Sequence, residues 1–255
     1  MTVVEDIMTK DPVKVTENDY ITHARQLMRD YFLRSVPVVD NHDSNHVTGL
    51  LTDQDILNIT STKSNLTVKG FERAFPTILP DTDILKASKL LLDAKLHRSP
   101  VMISTTEKRL AGIISNRDLL EKINPSRRSP ETIGEIMNTK VITCYTDDNV
   151  ARIWNNMLDW DYTGIPVVNQ KNEPIGVVTR RDIIKSGHAR INSPEKSSRV
   201  EKIMSTPTYT ITPNTPITEA IDKIIHYDVG RLTVVNNNKV VGIVDRNDLL
   251  EACLR

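Results

Sequence analysis

Apolar and polar positions alternate along this chain in a pattern that returns four times. Helical spacing puts Ile21, Ala24 and Met28 on one face, and the same spacing recurs at Ile84, Ala87 and Leu91, at Val150, Ile153 and Met157, and at Ile217, Ala220 and Ile224. Each of these predicted helices is followed by two short β-rich runs. The first runs are Val36-Pro37-Val38-Val39, Ser99-Pro100-Val101-Met102, Ile165-Pro166-Val167-Val168 and Leu232-Thr233-Val234-Val235. Gly49, Gly112, Gly176 and Gly242 open the closing motif of the second runs and recur every 63 to 66 residues. The motif reads Gly49-Leu50-Leu51-Thr52 to Asp55, Gly112-Ile113-Ile114-Ser115 to Asp118, Gly176-Val177-Val178-Thr179 to Asp182, and Gly242-Ile243-Val244-Asp245 to Asp248. A third marker, Ile7-Met8, Ile136-Met137 and Ile203-Met204, opens three units, and Phe71-Glu72 stands there in the second.

Repeats of this length are single supersecondary units, and this one reads β-α-β-β-α. The opening strand is a short piece such as Val13-Lys14-Val15, and Thr215-Pro216 predicts a helix start with a capping hydroxyl and proline at the first helical position. A unit of about 60 residues is marginal alone, so units are expected to pair and share cores. The fold class is therefore α/β (α+β), four units in two pairs. The units are expected at 1–62, 63–124, 133–190 and 191–255, with a linker at 125–132.

Composition narrows the functions open to such a chain. Lys plus Arg and Asp plus Glu number 33 each, so no global field favours nucleic acid or an anionic membrane. Arg127-Arg128 and Arg180-Arg181 are the candidates for a local basic patch, and each reads as a solvated loop or helix end. No apolar run reaches the length of a membrane span, and the first residues carry no secretory leader pattern. Two cysteines, Cys144 and Cys253, make no disulfide framework and fit a reducing, cytoplasmic setting.

The chemistry lies in the closing motif. Thr52, Ser115 and Thr179 fall where a strand turns into a helix. Unpaired N–H groups and a hydroxyl there suit a phosphate. Asp55, Asp118, Asp182 and Asp248 follow one turn on, where a carboxylate can accept both hydroxyls of a ribose. The same Ser/Thr-x-x-Asp spacing also forms a capping box, in which the two side chains satisfy the helix's own donors. Both readings stand for the first three units. In the fourth, Asp245 replaces the hydroxyl, and a carboxylate beside a phosphate repels it unless a cation intervenes.

The Ile-Met opening, the Val-Pro-Val-Val run and the Gly-to-Asp close, four times in phase, resemble the CBS domain, named after cystathionine β-synthase. The resemblance covers nearly the whole chain. It implies two Bateman modules, similar in architecture to the γ subunit of AMP-activated protein kinase, with clefts between paired units for AMP, ADP, ATP or S-adenosylmethionine, and Mg²⁺ as a companion of ATP. His97-Arg98-Ser99-Pro100-Val101 resembles the His-Arg-x-Pro-Val run of that subunit, whose Arg contacts phosphate. Arg231 holds the equivalent place in the fourth unit, while Ser35 and Gly164 hold it in the first and third, with Arg34 one residue earlier. Arg98 and Arg231 thus join Thr52, Ser115 and Thr179 as the phosphate set, one strong cleft per module.

The expected function is a non-catalytic nucleotide sensor acting on a protein partner not named by the sequence, and dimeric through its helix layers. The alternatives are a scaffold with vestigial clefts, and a nucleic-acid binder, which neutrality disfavours. An enzyme is disfavoured too, for no nucleophile–base set, P-loop or metal cluster is evident. His42 and His46 have i, i+4 spacing but no third ligand in sight. Cys144 reads as a small core residue, and Trp154 and Trp160 as core or inter-module contacts.

Overall fold

In the computed structural model, residues 2–59, 65–123, 131–159, 162–186 and 198–255 are described. The four predicted amphipathic helices form as α1 (Ile21–Asp30), α3 (Ile84–Asp93), α6 (Val150–Asp159) and α8 (Ile217–His226). All twelve residues of their apolar stripes are buried, each larger one contributing roughly 1.5–3 kcal/mol by leaving water. Four antiparallel hairpins follow them: β3 (Ser35–Val39) with β4 (Val47–Thr52), β5 (Arg98–Met102) with β6 (Leu110–Ser115), β8 (Gly164–Val168) with β9 (Pro174–Thr179), and β11 (Arg231–Asn236) with β12 (Lys239–Asp245). Each hairpin runs directly into a short helix, α2 (Asp53–Asn58), α4 (Asn116–Lys122), α7 (Arg180–Ser186) and α9 (Arg246–Ala252), and a single helical turn, α5 (Ile133–Ile136), opens the third unit.

The opening strands are shorter than the apolar pattern suggests. β2 is only Val15–Thr16, β7 is Cys144–Tyr145 and β10 is Thr210–Ile211, each parallel to its own hairpin. The second unit has no opening strand among the described residues. Its sheet is completed by β1 (Thr9–Lys10), from the segment that opens the first unit, which runs antiparallel to β6. Arg73 makes the reciprocal bridge to Leu50, and the other two units exchange Asn138 with Ile243 and Ser205 with Val177. Units one and two are therefore laced together, as are units three and four.

This lacing explains the motif glycines. A methyl group on Gly112 would lie 2.7 Å from the Thr9 carbonyl oxygen and 2.9 Å from the Met8 sulfur. Glu72 lies over Gly49 as Met8 lies over Gly112, so Phe71-Glu72 is the true counterpart of the Ile-Met pairs. Gly112→Ala is expected to cost about 1–3 kcal/mol in urea denaturation, because a paired backbone carbonyl cannot step aside as a flexible side chain would.

The two main apolar cores cross between the laced pairs. One joins the helices of units one and three, and Trp154 is buried in it; the other joins the helices of units two and four. The helix layers expected to meet a second chain are packed on one another within this one, α2 against α7 and α4 against α9. Trp160 and Arg127-Arg128 fall outside the described residues. Cys144 is a core residue, its thiol pushed up to about 12 by burial. α8 starts one residue later than expected: Pro216 is its N-cap, and the Thr215 hydroxyl accepts from the Thr212 N–H instead. No helix among the described residues is long and apolar enough to cross a membrane.

Candidate functional site

The hairpin registers bring one position of every unit to the middle of the molecule. Ser35 faces Thr52, Arg98 faces Ser115, Gly164 faces Thr179 and Arg231 faces Asp245. The first residue of each following helix is a buried polar group: Asp53, Asn116, Arg180 and Arg246. Arg180, read from sequence as solvated, is only 3% exposed. Its guanidinium donates to the Met157 carbonyl at 3.1 Å and stands 3.7 Å from Asp53, because the α2–α7 contact buries this end of the helix. On the other side, Asn116 Nδ2 donates to Asn247 Oδ1 at 2.6 Å, and both side chains lie within 3.3 Å of His97 Nδ1. Burial holds His97 below the usual imidazole range.

Arginines converge on this centre. Gly164 leaves room for the Arg231 guanidinium, which donates to the Gly164 carbonyl and the Thr163 hydroxyl. Gly230 leaves room for Arg34. Arg34 and Arg98 are half-buried, and their guanidiniums make no hydrogen bond or ion pair with a described residue. Burial lowers the pKa of both, and repulsion from Arg181 adds to this at Arg34, as repulsion from Arg34 does at Arg98. Arg231 and Arg246 are brought down to about 10, first by burial and then by Arg34. Holding this many cations in a low-dielectric centre is electrostatically costly. Sequence reading selected Arg98 and Arg231. It passed over Arg34 and Arg181, which reach the same centre only through the tertiary fold.

Four clefts open from the centre. Each is lined by the closing motif of one unit and by the opening segment of its laced partner. The first contains Thr52, Gln54, Arg73 and Arg98. The second contains Ser115, Asp118 and Thr9, with Arg34, Arg98 and Arg181. The third contains Thr179, Asp182 and residues 205–209, with Arg34, Arg181 and Arg231. The fourth contains Asp245, Asp248, Val141, Ile142 and Ile165, with Arg231.

The capping reading of the motif is realised in all four units. The hydroxyls of Thr52, Ser115 and Thr179 each donate to their Asp at 2.6 Å, and Asp245 accepts from the Asn247 and Asp248 N–H groups. One oxygen of each closing carboxylate is thus engaged in its own helix start, and what meets the other differs. Asp55 is ion-paired with Arg73 at 2.7 Å and is not among the residues lining the first cleft. Asp182 Oδ1 accepts only a long 3.3 Å bond from Ser205. Asp118 and Asp248 line their clefts. Burial and the neighbouring Asp245 push Asp248 up to about 7. His46 Nδ1 lies 3.6 Å from Asp40, and no group of three or more His, Cys, Asp or Glu gathers for a metal among the described residues.

A chain of four laced β-α-β-β-α units with this closing motif belongs to a known class, and the match is direct. The chain belongs to the CBS domain family, whose model matches residues 4–61, 68–125, 133–188 and 200–255. An uncharacterized protein of Methanocaldococcus jannaschii is 26% identical over 97% of this chain and 61% of its own length. The chain thus spans about three fifths of that relative. A crystal structure of a second M. jannaschii protein, proposed as an archaeal homologue of the AMP-activated protein kinase γ subunit, superposes with a TM-score of 0.82 at 24% identity, covering 98% of this chain and 99% of the other. An uncharacterized protein of Pyrococcus horikoshii superposes at 0.67 with 21% identity, over 99% and 100% of the two chains. These likenesses bear on the fold.

Proposed function

We propose that this chain is a non-catalytic regulatory protein that binds adenine nucleotides in the clefts between laced units. The observation that carries this reading is the convergence of Arg34 and Arg98, half-buried and in no ion pair with a described residue, on clefts that each end at a helix start. The phosphates meet these arginines, with Ser115 or Thr179 at the cleft floor. The ribose hydroxyls meet Asp118 or Asp182. Asp55 is less suited, since Arg73 already neutralises it. Ligand acts on a partner by favouring one arrangement of the units over another, which requires different affinities for the two.

The test is calorimetric titration with AMP, ADP, ATP and S-adenosylmethionine, with and without Mg²⁺. Saturable binding is expected, and Asp118→Ala and Asp182→Ala are each expected to weaken it about tenfold or more through loss of two charge-assisted hydrogen bonds. Unchanged titrations in both variants would overturn the ribose assignment. The capping boxes favour a second reading, a scaffold whose motif residues serve only their own helices. Absence of heat with every ligand, with self-association retained, would support it.

A further inference from the structure

One cross-strand pair sets the charge of the fourth cleft apart from that of the second. Arg98 faces Ser115, so its positive charge has no carboxylate opposite, whereas Arg231 faces Asp245. Arg231 is further occupied by the Gly164 carbonyl and the Thr163 hydroxyl. Asp245 and Asp248 stand side by side at the cleft floor, joined by the Asp245 N–H to Asp248 carboxylate bond of 2.8 Å. Lys95 and Lys140, the remaining cations of this cleft, are exposed at its rim. Apolar side chains, Val141, Ile142, Ile165 and Ile243, complete the lining and offer a surface suited to a flat base.

We infer that the fourth cleft takes an adenosine ligand whose 5′ substituent is neutral or cationic, and that Asp245 excludes the 5′-phosphate that the second and third clefts accept. This rests on the adenine-nucleotide reading above and refines it. A 5′-phosphate in the fourth cleft meets a fixed carboxylate where the second and third clefts offer a hydroxyl. Arg231, already donating to the Gly164 carbonyl and the Thr163 hydroxyl, does not offset that repulsion. A sulfonium or ammonium group meets the same carboxylate with the favourable sign. The chain is therefore a mixed-ligand protein, in which a phosphorylated and a non-phosphorylated adenosine compound occupy different clefts at once.

The experiment compares AMP, adenosine and S-adenosylmethionine on the full chain and on Asp245→Asn and Asp245→Thr, by titration calorimetry. Both replacements cap a helix well, so both variants are expected to melt within a few degrees of the unsubstituted protein. In that protein, adenosine and S-adenosylmethionine are expected to fill one cleft more than AMP does. They should still bind when AMP is saturating. In both variants AMP is expected to gain that additional equivalent, its affinity there rising about tenfold or more as the repelling charge is removed, while S-adenosylmethionine loses affinity. Equal AMP and adenosine stoichiometry in the unsubstituted protein, unchanged in the variants, would overturn the inference while leaving the nucleotide reading intact. Failure of all three ligands to bind would overturn the nucleotide reading itself.

Discussion

Replacing Arg34 and Arg98 together by alanine is expected to weaken AMP and ATP binding by about 100-fold or more while leaving the ligand-free protein as stable as before. The two halves of this expectation have one cause. A charge-assisted hydrogen bond to phosphate contributes about 1.5–3 kcal/mol, so loss of two such donors removes two factors of ten at the least. Without ligand these guanidiniums form no ion pair with a described residue. Both are partly desolvated and lose basicity; Arg181 repels Arg34 and Arg34 repels Arg98, while Asp53 attracts both. Removing them takes away repulsion along with side-chain packing. Titration calorimetry and a urea melt on the same preparation separate the two effects. Retained affinity would remove phosphate from the centre, and a large loss of stability would make the arginines structural.

Asp248→Asn is expected to flatten the pH dependence of stability. Burial beside Asp245 raises the Asp248 carboxyl to about 7 in the folded chain, well above its unfolded value. The folded state therefore holds a proton that the unfolded state releases. The stability this proton provides is complete below about pH 4, falls as pH rises through the folded pKa, and is gone above it. Asparagine retains a carbonyl to accept the Asp245 N–H but has no proton to lose. The variant should therefore gain on the parent between about pH 5 and pH 7.5, by on the order of 2 kcal/mol, and the gap should stay constant at higher pH. Paired denaturant melts across that range would measure it. Parallel curves for the two proteins would mean that Asp248 is ionised throughout.

Much of the fold was legible because a repeat writes the same apolar period four times. Ile21, Ala24 and Met28 need only local spacing to be read as one face, and their three sets of counterparts remove the chance of coincidence. The lacing was not legible. Nothing local tells Thr9 and Lys10 to join β6 rather than their own hairpin, nor shows that Glu72 takes the place of a methionine over Gly49. The site divided in the same way. The closing Ser/Thr and Asp residues are visible as a motif. Arg34, Arg180 and Arg181 become central only when helices from different units pack end to end, so Arg180 was read as solvated although the α2–α7 contact buries it. The carboxylates also looked alike in sequence. Arg73 on Asp55 and Asp245 beside Asp248 make them chemically distinct, and both neighbours are set by tertiary contacts.

The crossed pattern of contacts has a mechanical result. Unit one is tied to unit two by strands and to unit three by helices, and unit four is tied in the same two ways to units three and two. Four bodies with four joints make a closed linkage rather than a string of beads. In such a linkage no joint can turn by itself. A ligand that tilts one strand-laced joint must also turn the helix joints on either side and, through them, the laced joint opposite, so a cleft in one half of the molecule can change the shape of a cleft in the other without any rod or relay between them.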